Sequence, residues 1–113
     1  MRIDVEAGAR AAERVQEKVQ RRDAESLQVM LDSPEGRWFL TRLFERCHLY
    51  EDAPADAGKM AVLAGERNVA CGLRRTIADA GLLAMLHVAE KEASMFWDAM
   101  NDLLSNAEER RDE

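Results

Sequence analysis

Apolar positions along the chain recur at steps of three and four residues, and no stretch alternates at the two-residue period of a strand. The pattern is cleanest near the end. Leu82, Leu86, Ala89, Ala93, Phe96, Met100 and Leu103 are separated by alternating steps of four and three, the spacing of a coiled-coil seam. A helix from Leu82 to Leu104 would be about 35 Å long at the usual rise. A compact domain of this length has a radius of gyration near about 13 Å. The last helix is therefore expected to span the molecule or to protrude from it.

A second helix announces its own start. Ser33 is a good N-cap, Pro34 fits the first helical position, and Glu35 faces the positive end of the helix dipole. Phe39, Leu40, Leu43, Phe44 and Cys47 form its expected inward face, with Trp38 beside it. The stretch from Glu51 to Gly58, which contains Pro54, ends it and is the main loop.

A third helix is predicted from about Lys59 to Ala80, with Met60, Leu63, Val69, Leu73 and Ile77 near helical period. Gly58, Gly65 and Gly72 repeat every seven residues on one face. An interior glycine costs a helix about 1 kcal/mol against alanine. Two readings follow: another backbone approaches this face, or the helix breaks near Gly65. Gly81 reads as the C′ glycine that ends it, placing the third and fourth helices in a tight αα-hairpin.

The N-terminal pattern is thinner. Val5, Ala12, Val15 and Val19 make a narrow stripe among many charges over about residues 4–22, supported by pairs such as Glu17 with Arg21. A separate short turn of helix is expected around residues 24–31, carrying Leu27, Met30 and Leu31. The fold class is thus all-α, a small domain of about four helices with a C-terminal αα-hairpin and a long last helix. Residues 1–26 read as a charged N-terminal helix or arm, 27–105 as the helical core domain, and 106–113 as a charged flexible tail.

Composition narrows the function classes. The chain has 113 residues, enough for one domain, and a net charge of −6. That balance opposes a duplex-binding domain, which needs surplus Lys and Arg to replace counterions. Locally, Lys59–Gly81 holds four bases and two acids, whereas the chain from Leu82 onward holds eight acids and three bases. A basic recognition helix is lacking, so no specific nucleic-acid partner is expected. No apolar run exceeds the five residues of Leu82–Leu86, far short of the about 20 residues of a membrane span. The residues after Met1 lack the pattern of a secretory signal, so Cys47 and Cys71 are expected as reduced, unpaired thiols.

Candidate chemistry is sparse. His87 and Glu90 reverse the Glu-x-x-His order of di-iron bundles and occur once. Cys47, His48 and Cys71 do not make a zinc-site spacing. No nucleophile elbow or phosphate loop appears. No catalytic residue, metal site or cofactor is predicted.

Aromatic residues stand out instead. Trp38-Phe39 and Phe96-Trp97 are adjacent pairs, and helix neighbours differ by about 100° in direction. One member of each pair must cover another surface. The phenylalanines fit the inward stripes better, so Trp38 and Trp97 are expected at the rim, either lying across the domain or anchoring a partner. Phe96, on the seam of the last helix, joins them as a candidate contact.

Two blocks of residues resemble a known family. Ser33-Pro34-Glu35-Gly36-Arg37 with Phe39, Leu40 and Leu43, followed by Gly65-Glu66-Arg67-Asn68-Val69 with Leu73 and Ile77, are similar to the Bbp19-like phage domain. The second block departs from the family pattern at Ala64, Glu66, Ala70 and Gly72. The resemblance spans about Leu27 to Met100. It implies a phage origin and a place among virion-structure genes, with no known reaction. The expected function is that of a virion-associated structural protein of the portal–tail region or ejection apparatus, made in the host cytoplasm. Its expected partners are portal, tail or ejection proteins and other copies of itself. The alternative is a small phage-encoded adaptor or inhibitor of a host protein. Under this resemblance Gly36 relieves crowding in the first turn of its helix. Arg37, Arg67 and Asn68 either tie helices together or simply face solvent. An acidic C-terminal third would also repel packaged DNA rather than grip it.

Overall fold

The computed structural model describes residues 2–52 and 56–112. Four helices run in order: α1 (Arg2–Asp32), α2 (Pro34–Arg46), α3 (Ala57–Asp79) and α4 (Leu83–Asp112). No strand occurs among the described residues.

The expected break near residue 23 does not exist. α1 is one helix of 31 residues, about 46 Å long. Nothing around Asp23 and Ala24 stops a helix, and Leu27 and Leu31 are buried in the core. Once that end is nucleated, adding a residue costs little, so the helix propagates back through the charged stretch. Residues 5–23 are exposed throughout.

α2 begins as its sequence dictates. The Ser33 hydroxyl accepts a hydrogen bond from the Gly36 N–H at 3.0 Å, with Pro34 and Glu35 in the first turn. Asp56 caps α3 similarly, accepting from the Lys59 N–H at 2.9 Å, so α3 starts slightly before the predicted Lys59. Gly81 adopts φ 76°. Its N–H reaches the Ala78 carbonyl at 3.0 Å, and the Leu82 N–H reaches that of Ile77 at 2.9 Å, a Schellman turn between α3 and α4.

The core is small. Leu27 and Leu31 of α1, Leu40 and Phe44 of α2, and Ala70 and Ile77 of α3 meet Leu82, Leu86 and Ala89. Each large side chain here contributes about 1.5–3 kcal/mol by leaving water. α2 lies between α1 and α4, and α3 joins the core through its second half. α3 is unbroken, and no atom lies within 4 Å of a Cβ built on Gly65 or Gly72. Within the single chain the helix does not break there, and no other backbone meets this face.

Two interactions order the long helices. Residues Glu17–Ala24 of α1 share a surface hollow with Thr76–Ala80 at the end of α3. At the other end Arg37 joins the Leu31 carbonyl to Glu92 of α4. α1 and α4 thus run parallel past one another. The free half of α1 points away from the α3–α4 corner, and the free half of α4 points the opposite way. The result is 82 Å long and 16 Å in its thinnest direction, with a radius of gyration of 20.3 Å. The segment 106–113 reads from sequence as a flexible tail; α4 continues through it to Asp112, and residues 106–111 are exposed.

Candidate protein-docking face

α2 is held between α1 and α4 by residues that the sequence places at its start. Gly36 sits against the end of α1, where a Cβ would fall 2.1 Å from the Met30 carbonyl oxygen. Only glycine lets the two backbones come that close. Arg37 then reaches two helices at once. Its Nη1 donates to the Leu31 carbonyl at 3.0 Å, and its Nε lies 3.1 Å from both carboxylate oxygens of Glu92. Thr41, the one buried polar side chain among the described residues, donates to the Trp38 carbonyl at 2.8 Å.

Beyond this junction, the three residues proposed as contacts come together. Trp38 meets Phe96 edge-to-face at a centroid distance of 4.7 Å, and Phe96 meets Trp97 at 5.3 Å. Trp38 and Trp97 are 6.2 Å apart. The Trp97 Nε1–H donates to Glu45 at 2.9 Å. Arg42, paired with Glu45 at 2.7 Å, also lies 5.5 Å over the Trp97 ring. The cluster is fixed yet open: Trp38 is 38%, Phe96 41% and Trp97 38% exposed.

The orientation of the first pair corrects the sequence reading. Phe39, expected inward, is 59% exposed, more than Trp38. The α2–α4 crossing turns the α2 face bearing Leu40, Thr41 and Phe44 toward the core and leaves Phe39 outside. Phe39 and Trp38 flank a shallow hollow with Arg42, Leu43 and Arg46. Nor does Phe96 turn inward in preference to Trp97, since both are similarly exposed.

The seam of α4 is buried only in its first half. Leu82, Leu86, Ala89 and Ala93 are covered, whereas Leu103 is 60% exposed and Leu104 joins it at the surface. On the other flank of the aromatic cluster, a groove of about 310 Å³ is lined by Thr41, Glu45, Tyr50, Glu90 and Trp97 among others. The Tyr50 hydroxyl donates to Glu90 at 2.7 Å. Burial first, and then this bond to a carboxylate, push the phenol well above its ordinary range.

Arg67 and Asn68 lie elsewhere. They line a cleft between α3 and the end of α2, with Leu63, Cys71 and His48. His48, which in the sequence stands out only beside Cys47 in a spacing unsuited to zinc, is the only non-glycine residue with positive φ among the described residues, at 60°. It occupies the C′ position of a second Schellman turn, with the Leu49 N–H on the Phe44 carbonyl at 3.0 Å. Its Nδ1 is 2.8 Å from Glu51 and its Nε2 2.9 Å from Glu66 of α3. No sequence signal marks this arrangement, because Glu66 arrives from another helix.

Both thiols are free, Cys47 partly covered and Cys71 exposed. No group of three or more His, Cys, Asp or Glu side chains placed to hold a metal occurs among the described residues. No described helix is long and apolar enough to cross a membrane.

A family model described as Bbp19-like phage protein matches residues 27–87, just over half of the chain. The match opens at Leu27, the first buried residue among those described, and closes one turn into α4. It takes in Gly36, Arg37, Trp38, Arg67 and Asn68 and stops short of Phe96 and Trp97, so it is narrower than the stretch to Met100 read from the residues. Neither the curated proteins nor the solved structures contain a match.

Proposed function

The chain belongs to the Bbp19-like phage protein family, and on that basis we propose that it is a non-enzymatic structural protein of the phage particle, acting through helix-to-helix protein contacts. The observation that carries this reading is the cluster of Trp38, Phe96 and Trp97. Three large aromatic side chains are held together by packing, a Glu45 hydrogen bond and the Arg42 cation, and remain more than one third exposed. Rigid aromatic area at low entropic cost is what protein interfaces use as anchors. The occupant is a larger protein of the particle, in the portal–tail region or the ejection apparatus, reached after synthesis in the host cytoplasm.

Mass spectrometry of purified particles tests the location. Trp38→Ala with Trp97→Ala tests the face: incorporation should fall while the helical circular-dichroism signal persists. Normal incorporation of the folded double variant removes these residues from the contact. Absence of the wild-type chain from particles favours instead an adaptor that binds a host protein.

A further inference from the structure

Two helical arms project from opposite ends of the core and lack neighbours along most of their length. Residues 5–23 of α1 form an arm of about 28 Å, and residues 96–112 of α4 one of about 25 Å. Free helices of this length are marginal in water. Each arm carries a narrow apolar stripe: Val5, Val15 and Val19 on α1, and Phe96 and Leu103 on α4, all exposed.

The arms differ in charge. Residues 5–23 of α1 hold five bases and four acids, a net +1, and Glu6 lies 3.7 Å from Arg10. Arg10, Arg14, Lys18 and Arg21 follow one another at steps of four, four and three, along one side of the helix. Residues 96–112 of α4 hold five acids and two bases, a net −3, with Asp98 and Asp102 one turn apart and both bases in the last turn.

We propose that copies of this chain associate head to tail, the basic α1 arm of one copy lying parallel to the acidic α4 arm of the next. This names a second copy as a partner within the helix-packing reading above. Three observations carry it together. α1 and α4 already run parallel, with free halves at opposite ends, so a copy displaced along the 82 Å axis brings one arm beside the other. The arms match in length to within about two residues. The row of bases on α1 attracts Asp98 and Asp102 of α4, whereas two α4 arms paired about a two-fold axis would oppose a net −3 with its like. A contact between two different surfaces does not close on itself as a dimer. It continues into a ring or an open filament.

Charge reversal on the purified full-length chain tests this without virions, so its failure is distinguishable from failure of the structural reading. Light scattering at micromolar concentration and low salt should show species larger than dimers. Arg14→Glu with Lys18→Glu should weaken assembly by at least about tenfold, and Asp98→Lys with Asp102→Lys likewise. These positions are exposed, and a retained helical signal checks that each variant is folded. Mixing the two reversed chains should restore assembly beyond the dimer, since each basic arm again meets an acidic one. A monomeric wild type, assembly indifferent to both reversals, or no recovery on mixing overturns the proposal. Mixed chains that stop at dimers point to α4 pairing with α4 and overturn it too. So does duplex DNA binding by the α1 arm that survives physiological salt while self-association is absent.

Discussion

Gly36→Ala and Gly65→Ala are the same chemical change in two helices, and the structure gives them opposite signs. In a helix interior, alanine gains about 1 kcal/mol over glycine. At Gly65, and equally at Gly72, nothing lies within 4 Å of the added methyl, so most of that gain should appear. At Gly36 the methyl carbon would fall 2.1 Å from the Met30 oxygen, 2.7 Å from its carbonyl carbon and 2.8 Å from its Cα. Ordinary contact is near about 3.5 Å, so the end of α1 must retreat from α2 by about 1 Å. All three atoms are backbone, so no rotamer change relieves the overlap. Overpacking costs about 1–3 kcal/mol, and the retreat also strains the Arg37 bond to the Leu31 carbonyl, another 1 kcal/mol or so. After subtracting the helix gain, Gly36→Ala should lose about 1–3 kcal/mol. Urea denaturation followed by circular dichroism measures both changes at low protein concentration. Wild-type stability or better for Gly36→Ala would refute the close approach of α1 and α2. Destabilisation by Gly65→Ala would show a neighbour on that face.

Arg37→Ala should destabilise by about 1–3 kcal/mol in the same assay, and Arg37→Lys should recover little, because one ammonium does not span the Leu31 carbonyl and Glu92 as a guanidinium does. At position 48 the left-handed backbone makes glycine more stable than alanine by about 1–2 kcal/mol, with both substitutions losing the contacts to Glu51 and Glu66. Tyr50 is the only tyrosine, so its ultraviolet titration is unambiguous. Its folded pKa lies above the unfolded value of about 10, so the folded state holds the proton more tightly. Stability from this group is full below that unfolded value and declines as pH rises above it. Tyr50→Phe should remove this alkaline sensitivity, and tyrosinate absorbance developing near pH 10 in the folded protein would contradict it.

Local chemistry determined much of this protein before any tertiary contact formed. Ser33 and Pro34 start α2 because a hydroxyl acceptor and a missing N–H suit the first turn, and Gly81 ends α3 because only glycine takes φ 76° without steric cost. The period of apolar residues fixed the all-α class and the seam of α4. The blocks around Gly36 and Asn68 were enough to indicate the family. Other features depended on which surface meets which. Periodicity says that residues share a face and not what covers it, so the seam reads as continuous although only Leu82–Ala93 is buried and Leu103 is bare. The seating of α2 between α1 and α4, with Gly36 against Met30 and Arg37 bridging Leu31 to Glu92, turns Phe39 outward and gathers Trp38, Phe96 and Trp97. His48 holds a strained backbone within reach of a carboxylate from α3. Each of these depends on the angle and distance between helices far apart in the chain, and a pattern of nearest neighbours does not encode them.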